Sequence, residues 1–142
     1  MPSNLSCVML IDDNPDDSFF HEREIKKSGL AGAIIIKDSG ADALEYLKSK
    51  AAKKLHPELI FLDINMPGMN GWEFLHEYNC LDKELQISSI IIMLTTSDNP
   101  ADVEKAKKWS FVNDYKTKPL TSGLMNEIMA KHFPKMAMVE DV

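Results

Sequence analysis

Carboxylates, one lysine and one threonine are the residues of this chain that could do chemistry together. Asp12 and Asp13 follow an apolar run at 7–11, and Asp63 follows another at 59–62. Thr95 comes directly after a third run at 89–94, and Lys118 stands just past a fourth segment at 112–116, in front of Pro119. Carboxylates that meet without a counter-ion repel, and their pKa values rise. A divalent cation relieves this. Ligands that are all oxygen suit Mg²⁺, which keeps several waters and binds through one or two carboxylates plus phosphate. A lysine is a compact positive charge for a phosphate oxygen, and a threonine hydroxyl can donate a hydrogen bond to another. The set suits an Asp nucleophile with a metal, a Lys and a Thr around a transferring phosphoryl group, a chemistry made mostly of positioning and charge neutralisation. Each residue alone has an ordinary use: a helix cap, a helix start, a surface lysine. Their joint placement behind apolar runs is what chance does not readily produce.

The elements that must position them can be read in order. The runs at 7–11, 33–36, 59–62, 89–94 and 112–116 read as strands, and the run at 59–62 is apolar on both faces, as in a parallel sheet. Between them lie helical stretches with recognisable ends. Pro15 suits a first helical turn, Asp16 and Asp17 complement the helix dipole there, and Gly29 stops that helix after Ser28. Ser39 caps a helix to about Ala52 that carries Ala43, Leu44 and Leu47 on one face, and 48–54 reads as its solvated basic end. Asn70 caps a third helix, Asn99-Pro100 opens a fourth, and a fifth starts near Thr121 and buries Leu124, Ile128 and Met125. After Asp63, Pro67 bars α conformation at Met66, while Gly68 and Gly71 permit tight turning. Five strand–helix alternations predict a doubly wound, five-stranded parallel sheet with five helices on two faces. Such a sheet brings Asp12, Asp13, Asp63, Thr95 and Lys118 to one edge, where α/β sheets bind ligands.

Composition narrows the function classes. With 142 residues and 44% hydrophobic content, the chain suits one domain, expected over 1–132, followed by a frayed tail at 133–142 and no output domain. The net charge of −6 argues against general nucleic-acid binding. No apolar run approaches the length of a membrane span, and the first residues lack a signal-peptide pattern, so the expected location is the cytoplasm. Cys7 and Cys80 are too few for a disulfide framework, and Cys7 reads as a small core residue.

Asp12-Asp13 after the first strand, Asp63 with Met66-Pro67 and Gly71, Thr95 after the fourth strand, Tyr115, and Lys118-Pro119 together resemble the receiver domain of two-component response regulators, most closely the stand-alone kind. The resemblance spans about residues 5–132. It implies a flavodoxin-like strand order 2-1-3-4-5, for which a member of this family is a standing example. It implies that Asp63 accepts phosphate from a sensor histidine kinase or histidine phosphotransfer protein. It implies a Mg²⁺ site of Asp12, Asp13, Asp63 and the backbone carbonyl of Asn65. Lys118 would pair first with Asp63 and then with the phosphate, while Thr95 and Tyr115 act as the switch. The face of the fourth helix, fifth strand and fifth helix, with Lys105, Lys107, Lys108, Trp109 and Lys116, would then change its protein partners, and the protein would signal by protein–protein contact. Such a domain is a phosphoacceptor and not an enzyme, although hydrolysis of its own aspartyl phosphate is open to it. The alternative is a phosphohydrolase of similar fold with an Asp nucleophile and Mg²⁺, which carries Asp-x-Asp on its first strand with the second Asp as acid/base. Here Asn65 stands two residues after Asp63 and cannot protonate a leaving group.

Two further expectations can be checked. The family usually has Gly seven residues before the lysine, where this chain has Phe111, a residue that resists positive φ. The fourth helix should therefore end without a left-handed cap and reshape its exit. Phe19 and Phe20 lie about 120° and 140° around the first helix from Ile25, on opposite sides, so at least one should stay exposed as a docking anchor near Asp63.

Overall fold

The computed structural model describes residues 5–66, 68–81, 83, 89–96 and 99–134. Five parallel strands, β1 (Leu5–Ile11), β2 (Ala31–Lys37), β3 (Leu59–Leu62), β4 (Ile90–Thr95) and β5 (Val112–Thr117), lie in the order β2-β1-β3-β4-β5. The described helices are α1 (Pro15–Ser28), α2 (Gly40–Lys48), α3 (Lys50–Lys54), α4 (Gly71–Tyr78), α5 (Pro100–Lys107) and α6 (Ser122–His132).

Alternation along the central strands divides the core in two. Ile60 and Leu62 of β3 with Ile91 and Met93 of β4 face the layer of α2, α4 and α5, where Leu44, Leu47, Phe74, Leu75, Tyr78 and Ala106 are buried. Leu59 and Phe61 with Ile92 and Leu94 face α1 and α6, where Ile25, Met125, Ile128 and Met129 are buried. Every residue of β3 is buried. Full burial of an aliphatic or aromatic side chain contributes about 1.5–3 kcal/mol, so β3 and β4 are strongly held and their register is fixed.

Local chemistry sets the helix ends. Asn14 accepts from the backbone N–H groups of Asp16 and Asp17 at 3.0 and 3.2 Å, and Gly29 closes α1 at φ 71°. Ser39, Asn99 and Thr121 cap α2, α5 and α6, and Asn70 with Glu73 forms a reciprocal capping box on α4.

Three expectations need correction. The helix capped by Ser39 stops at Lys48, where the Ser49 N–H and hydroxyl both bond to the Tyr46 carbonyl, at 2.9 and 2.6 Å. The supposed solvated end then re-forms as the short helix α3, a sixth, because Ala52 is buried while Lys53 and Lys54 stay exposed. Phe133, expected in the frayed tail, packs on the α1–α6 layer, and its N–H donates to the Met129 carbonyl at 2.9 Å. The rest of that tail, 135–142, lies outside the described residues, as does Pro67.

Phe111 has the expected effect. No described residue other than glycine has positive φ. α5 ends at Lys108 in right-handed conformation, a turn follows in which the Val112 N–H donates to the Trp109 carbonyl, and the Phe111 ring packs on Tyr78 with centroids 5.1 Å apart. The β4–β5 register slips at this entry, from Ile91↔Val112 to Ile92↔Asp114, and the skipped Asn113 accepts from the Ile91 N–H through its side chain.

Cys7 is fully buried in β1, and burial first, then the charge of Glu58, pushes its thiol up to about 11, whereas Cys80 is exposed. A thiol titration of the native protein at pH 8 should find one fast-reacting group and a second only after unfolding. Two fast thiols would show that β1 is not buried as described.

Candidate functional site

Strand register builds the site. The Asp12 N–H donates to the Lys37 carbonyl at 3.0 Å and the Asp63 N–H to the Ile11 carbonyl at 3.1 Å, so the two carboxylates leave neighbouring strands at the same edge. Beyond Asp63 the chain turns through Gly68 at φ 78° and returns so closely that a Cβ on Gly71 would lie 2.6 Å from the Asp63 carbonyl oxygen. Gly71 is therefore needed for space, whereas Gly68 is the residue that takes the left-handed backbone. From the other side, the Lys118 N–H donates to the Thr95 carbonyl at 2.8 Å, and the Lys118–Pro119 peptide is cis.

The Lys118 ammonium sits among three carboxylates: Asp12 Oδ2 at 2.6 Å, Asp17 Oδ2 at 2.8 Å and Asp63 Oδ2 at 3.1 Å. The side chains of Lys118, Asp12 and Asp63 are 8, 7 and 9% exposed, and that of Asp17 is 37%. Burial by itself would lower the lysine's pKa, but the hydrogen bonds to Asp12 and Asp17 and the charges of Asp63 and Asp12 outweigh it, so Lys118 is held protonated. Burial pushes the Asp12 carboxyl up, and the negative charge of Asp63 adds to this; hydrogen bonds from Lys118 and from the Asn14 N–H offset only part of it. One ammonium is thus shared by more negative charge than it can neutralise.

The donor set fits a small divalent cation. Carboxylate oxygens of Asp12, Asp13 and Asp63 lie within 4.8 Å of one another, close to the separation of about 4.2 Å that opposite ligands take around Mg²⁺. Asn65 is exposed beside them, and its N–H makes a long 3.4 Å contact with Asp63 Oδ1. Thr95 is fully buried at the end of β4. Tyr115 sits half-buried two residues before Thr117, packed on the α2–α4–α5 layer.

The proposed docking residues are spread over two surfaces. Phe19 and Phe20 are 67 and 40% exposed on the opening turns of α1. Trp109 is half-buried against the core, and Lys116 pairs with Asp114 at 3.8 Å. Lys105 lies over the Trp72 ring at 4.8 Å and Lys107 pairs with Glu104 at 3.2 Å, so several lysines of that face already have partners.

Sequence reasoning missed Asp17, treated only as a dipole complement. The signal was present: Asp17 lies three residues after the Asn14 cap, on the turn of α1 that abuts Asp12 and Asp13. Ser18 and His21, buried polar groups of α1, were missed as well.

A family model for the response regulator receiver domain matches residues 8–130. The chain belongs to that family. Among relatives, PilH of Pseudomonas aeruginosa is 27% identical over 117 residues, which is 82% of this chain and 88% of that protein. A two-component response regulator from Cytophaga hutchinsonii superposes with a TM-score of 0.84 at 31% identity, covering 92% of this chain and 98% of its own. The Mn²⁺-bound form of the response regulator Rcp1 superposes with a TM-score of 0.71 at 27% identity, covering 90 and 94%.

Two outcomes are expected from this receiver's site. Lys118→Met leaves Asp12, Asp17 and Asp63 without a counter-charge, which should cost roughly 3 kcal/mol at pH 7. In that variant the Asp12 carboxyl, already pushed up by burial, loses the Lys118 contacts that offset this, so the folded state binds more protons than the unfolded one, and stability should recover as pH falls from 7 toward 5. Urea unfolding at several pH values checks this, and a loss that does not vary with pH would count against charge repulsion as its cause. Gly71→Ala should cost about 1–3 kcal/mol, because its Cβ meets the Asp63 backbone. An Ala variant as stable as the parent would show that the Asp63–Gly71 approach is looser than described.

Proposed function

We propose that Asp63 of this receiver takes a phosphoryl group from a histidine kinase or a histidine phosphotransfer protein. The observation that carries this reading is the contact of one ammonium, Lys118, with both Asp12 and Asp63 while Asp13 stands within metal-sharing distance. A carboxylate oxygen of Asp63 attacks phosphorus, the phosphorus–nitrogen bond of the donor phosphohistidine breaks, and its electron pair leaves with the imidazole. Asp12, Asp13, Asp63 and the Asn65 carbonyl would hold Mg²⁺, which supplies charge neutralisation for the transferring group. Lys118 then exchanges a carboxylate partner for a phosphoryl oxygen. Thr95 donates to another, and Tyr115 follows inward behind it. Signalling proceeds by protein contact at α5, β5 and α6, with Trp109 and Lys116 in the contact surface, in the cytoplasm and without nucleic acid or membrane. No described helix is long and apolar enough to cross a membrane. In this reading the receiver turns over no substrate except its own aspartyl phosphate.

With Mg²⁺ and a small acyl-phosphate donor the protein should gain one phosphate. Asp63→Asn should abolish the gain, EDTA should suppress it, and Lys118→Arg should not restore switching, because a planar fork does not replace a point charge. Full labelling of Asp63→Asn at another carboxylate would overturn the assignment.

For the donor, Phe19 and Phe20 supply an exposed aromatic anchor beside the site, suited to the helical surface of a phosphotransfer partner. Phe19→Ala should slow transfer from the kinase about tenfold, as for an anchor of roughly 1.4 kcal/mol, and leave small-donor phosphorylation intact. Equal losses with both donors would mean that the ring supports the fold.

A further inference from the structure

Behind the acidic cluster, α1 turns two polar side chains into an apolar layer. Ser18 is 4% and His21 3% exposed, one helical turn apart, on the same side as the fully buried Ile25. A serine inside a helix ordinarily returns its hydroxyl to the carbonyl four residues back or points to water. Here the Asn14 carbonyl accepts from the Ser18 backbone N–H, and Ser18 Oγ is the one fully buried side-chain atom among the described residues that has no hydrogen-bond partner. Burying an unsatisfied hydroxyl or imidazole costs free energy unless something satisfies it. Both side chains line a cavity of about 10 Å³, together with Asp12 and Asp63 and an apolar wall that includes Phe61 and Leu94. That volume is the least that one water requires, and a water there would have polar partners on one side and an apolar wall on the other.

We propose that this cavity is a binding site for a single water, hydrogen-bonded to Ser18 Oγ and the His21 ring and onward to the carboxylate of Asp12 or Asp63. Burial first, and the Lys118 charge second, hold the His21 pKa down against Asp17 and Asp63, so the ring is neutral and offers one donor and one acceptor. The water gives Ser18 its missing partner and ties α1 to the carboxylates from below, while Lys118 and Asp17 tie it from above. Ser18 and His21 are then positioning residues for the acid pair. This holds whether or not Asp63 receives phosphate.

The test is a crystal structure at about 1.5 Å or better and a mutant cycle. Solvent density within hydrogen-bond distance of Ser18 Oγ and the His21 ring is expected, and a cavity without density overturns the proposal. Ser18→Ala improves helix propensity, so removal of an unsatisfied hydroxyl should raise the melting temperature. Loss of a bridging water should instead lower it by about 2–4 °C in the native background, and the same substitution should raise it in a His21→Leu background, where the bridge is already broken. An equal shift in both backgrounds overturns the proposal. If His21→Leu does not fold, His21→Gln serves as the second background.

Discussion

A single ammonium surrounded by three carboxylates is the constraint on which the other features of the site depend. Parallel register brings Asp12 and Asp63 to the same edge, and the capped first turn of α1 adds Asp17. At 2.6–3.1 Å, Lys118 makes that crowding tolerable. It does not make it comfortable, since Asp12 is still pushed toward protonation by burial and by Asp63. What overcomes the residual cost is apolar: β1, β3 and β4 are buried on both faces, and their side chains contribute far more than one imperfect ion cluster removes. The sheet can therefore hold its edge in an unfavourable electrostatic state, and a cation or a transferring group that relieves the state finds the ligands already gathered.

Much of this was legible in the chain. The all-apolar run at 59–62, Pro15 in the first turn of α1 and the residues Ser39, Asn70, Asn99 and Thr121 mark strands and helix starts by chemistry that acts within a few residues. The convergence of Asp12, Asp13, Asp63, Thr95 and Lys118 follows once the sheet is parallel. What could not be read depends on packing distance. α3 forms because Ala52 finds a buried place, which periodicity in a lysine-rich segment does not signal. The role of Gly71 comes from the proximity of the Asp63 backbone, and Asp17 meets Lys118 across 101 residues of chain. The polar inner side of α1 was visible as residue types only; that Ser18 and His21 share a cavity with the acid pair needed coordinates.

Phe111 shows how a departure from the family pattern is absorbed. Without a glycine to turn left-handed, α5 exits through a right-handed turn, and the aromatic ring fills space against Tyr78 and Trp109. The register slip at the start of β5 accompanies this change, and Asn113 closes the gap by bonding the Ile91 N–H through its side chain. The adjustment stays at the far end of β5 from Lys118, so the site is built in the usual way despite it.

The surface around β5 is held unequally on its two sides. On the α6 side, Asp114 accepts from Lys131 at 3.0 Å and sits 3.1 Å from the His132 ring. Burial alone would raise the Asp114 carboxyl, but the bonds from His132 and Lys131 outweigh it and hold the group ionised. On the other side, α5 is a short helix whose one fully buried residue is Ala106, and Trp109, Phe111 and Tyr115 only partly cover the core beneath it. Few buried contacts mean a low local free energy of opening. Under the proposed function, a change in charge at Asp63 would reach β5 through Lys118, which follows that strand and whose N–H bonds to the Thr95 carbonyl of β4. Movement that starts there meets a clamped helix on one side and a lightly packed one on the other. The asymmetry favours α5 and Tyr115 as the parts that yield, with α6 and Asp114 as the frame they move against.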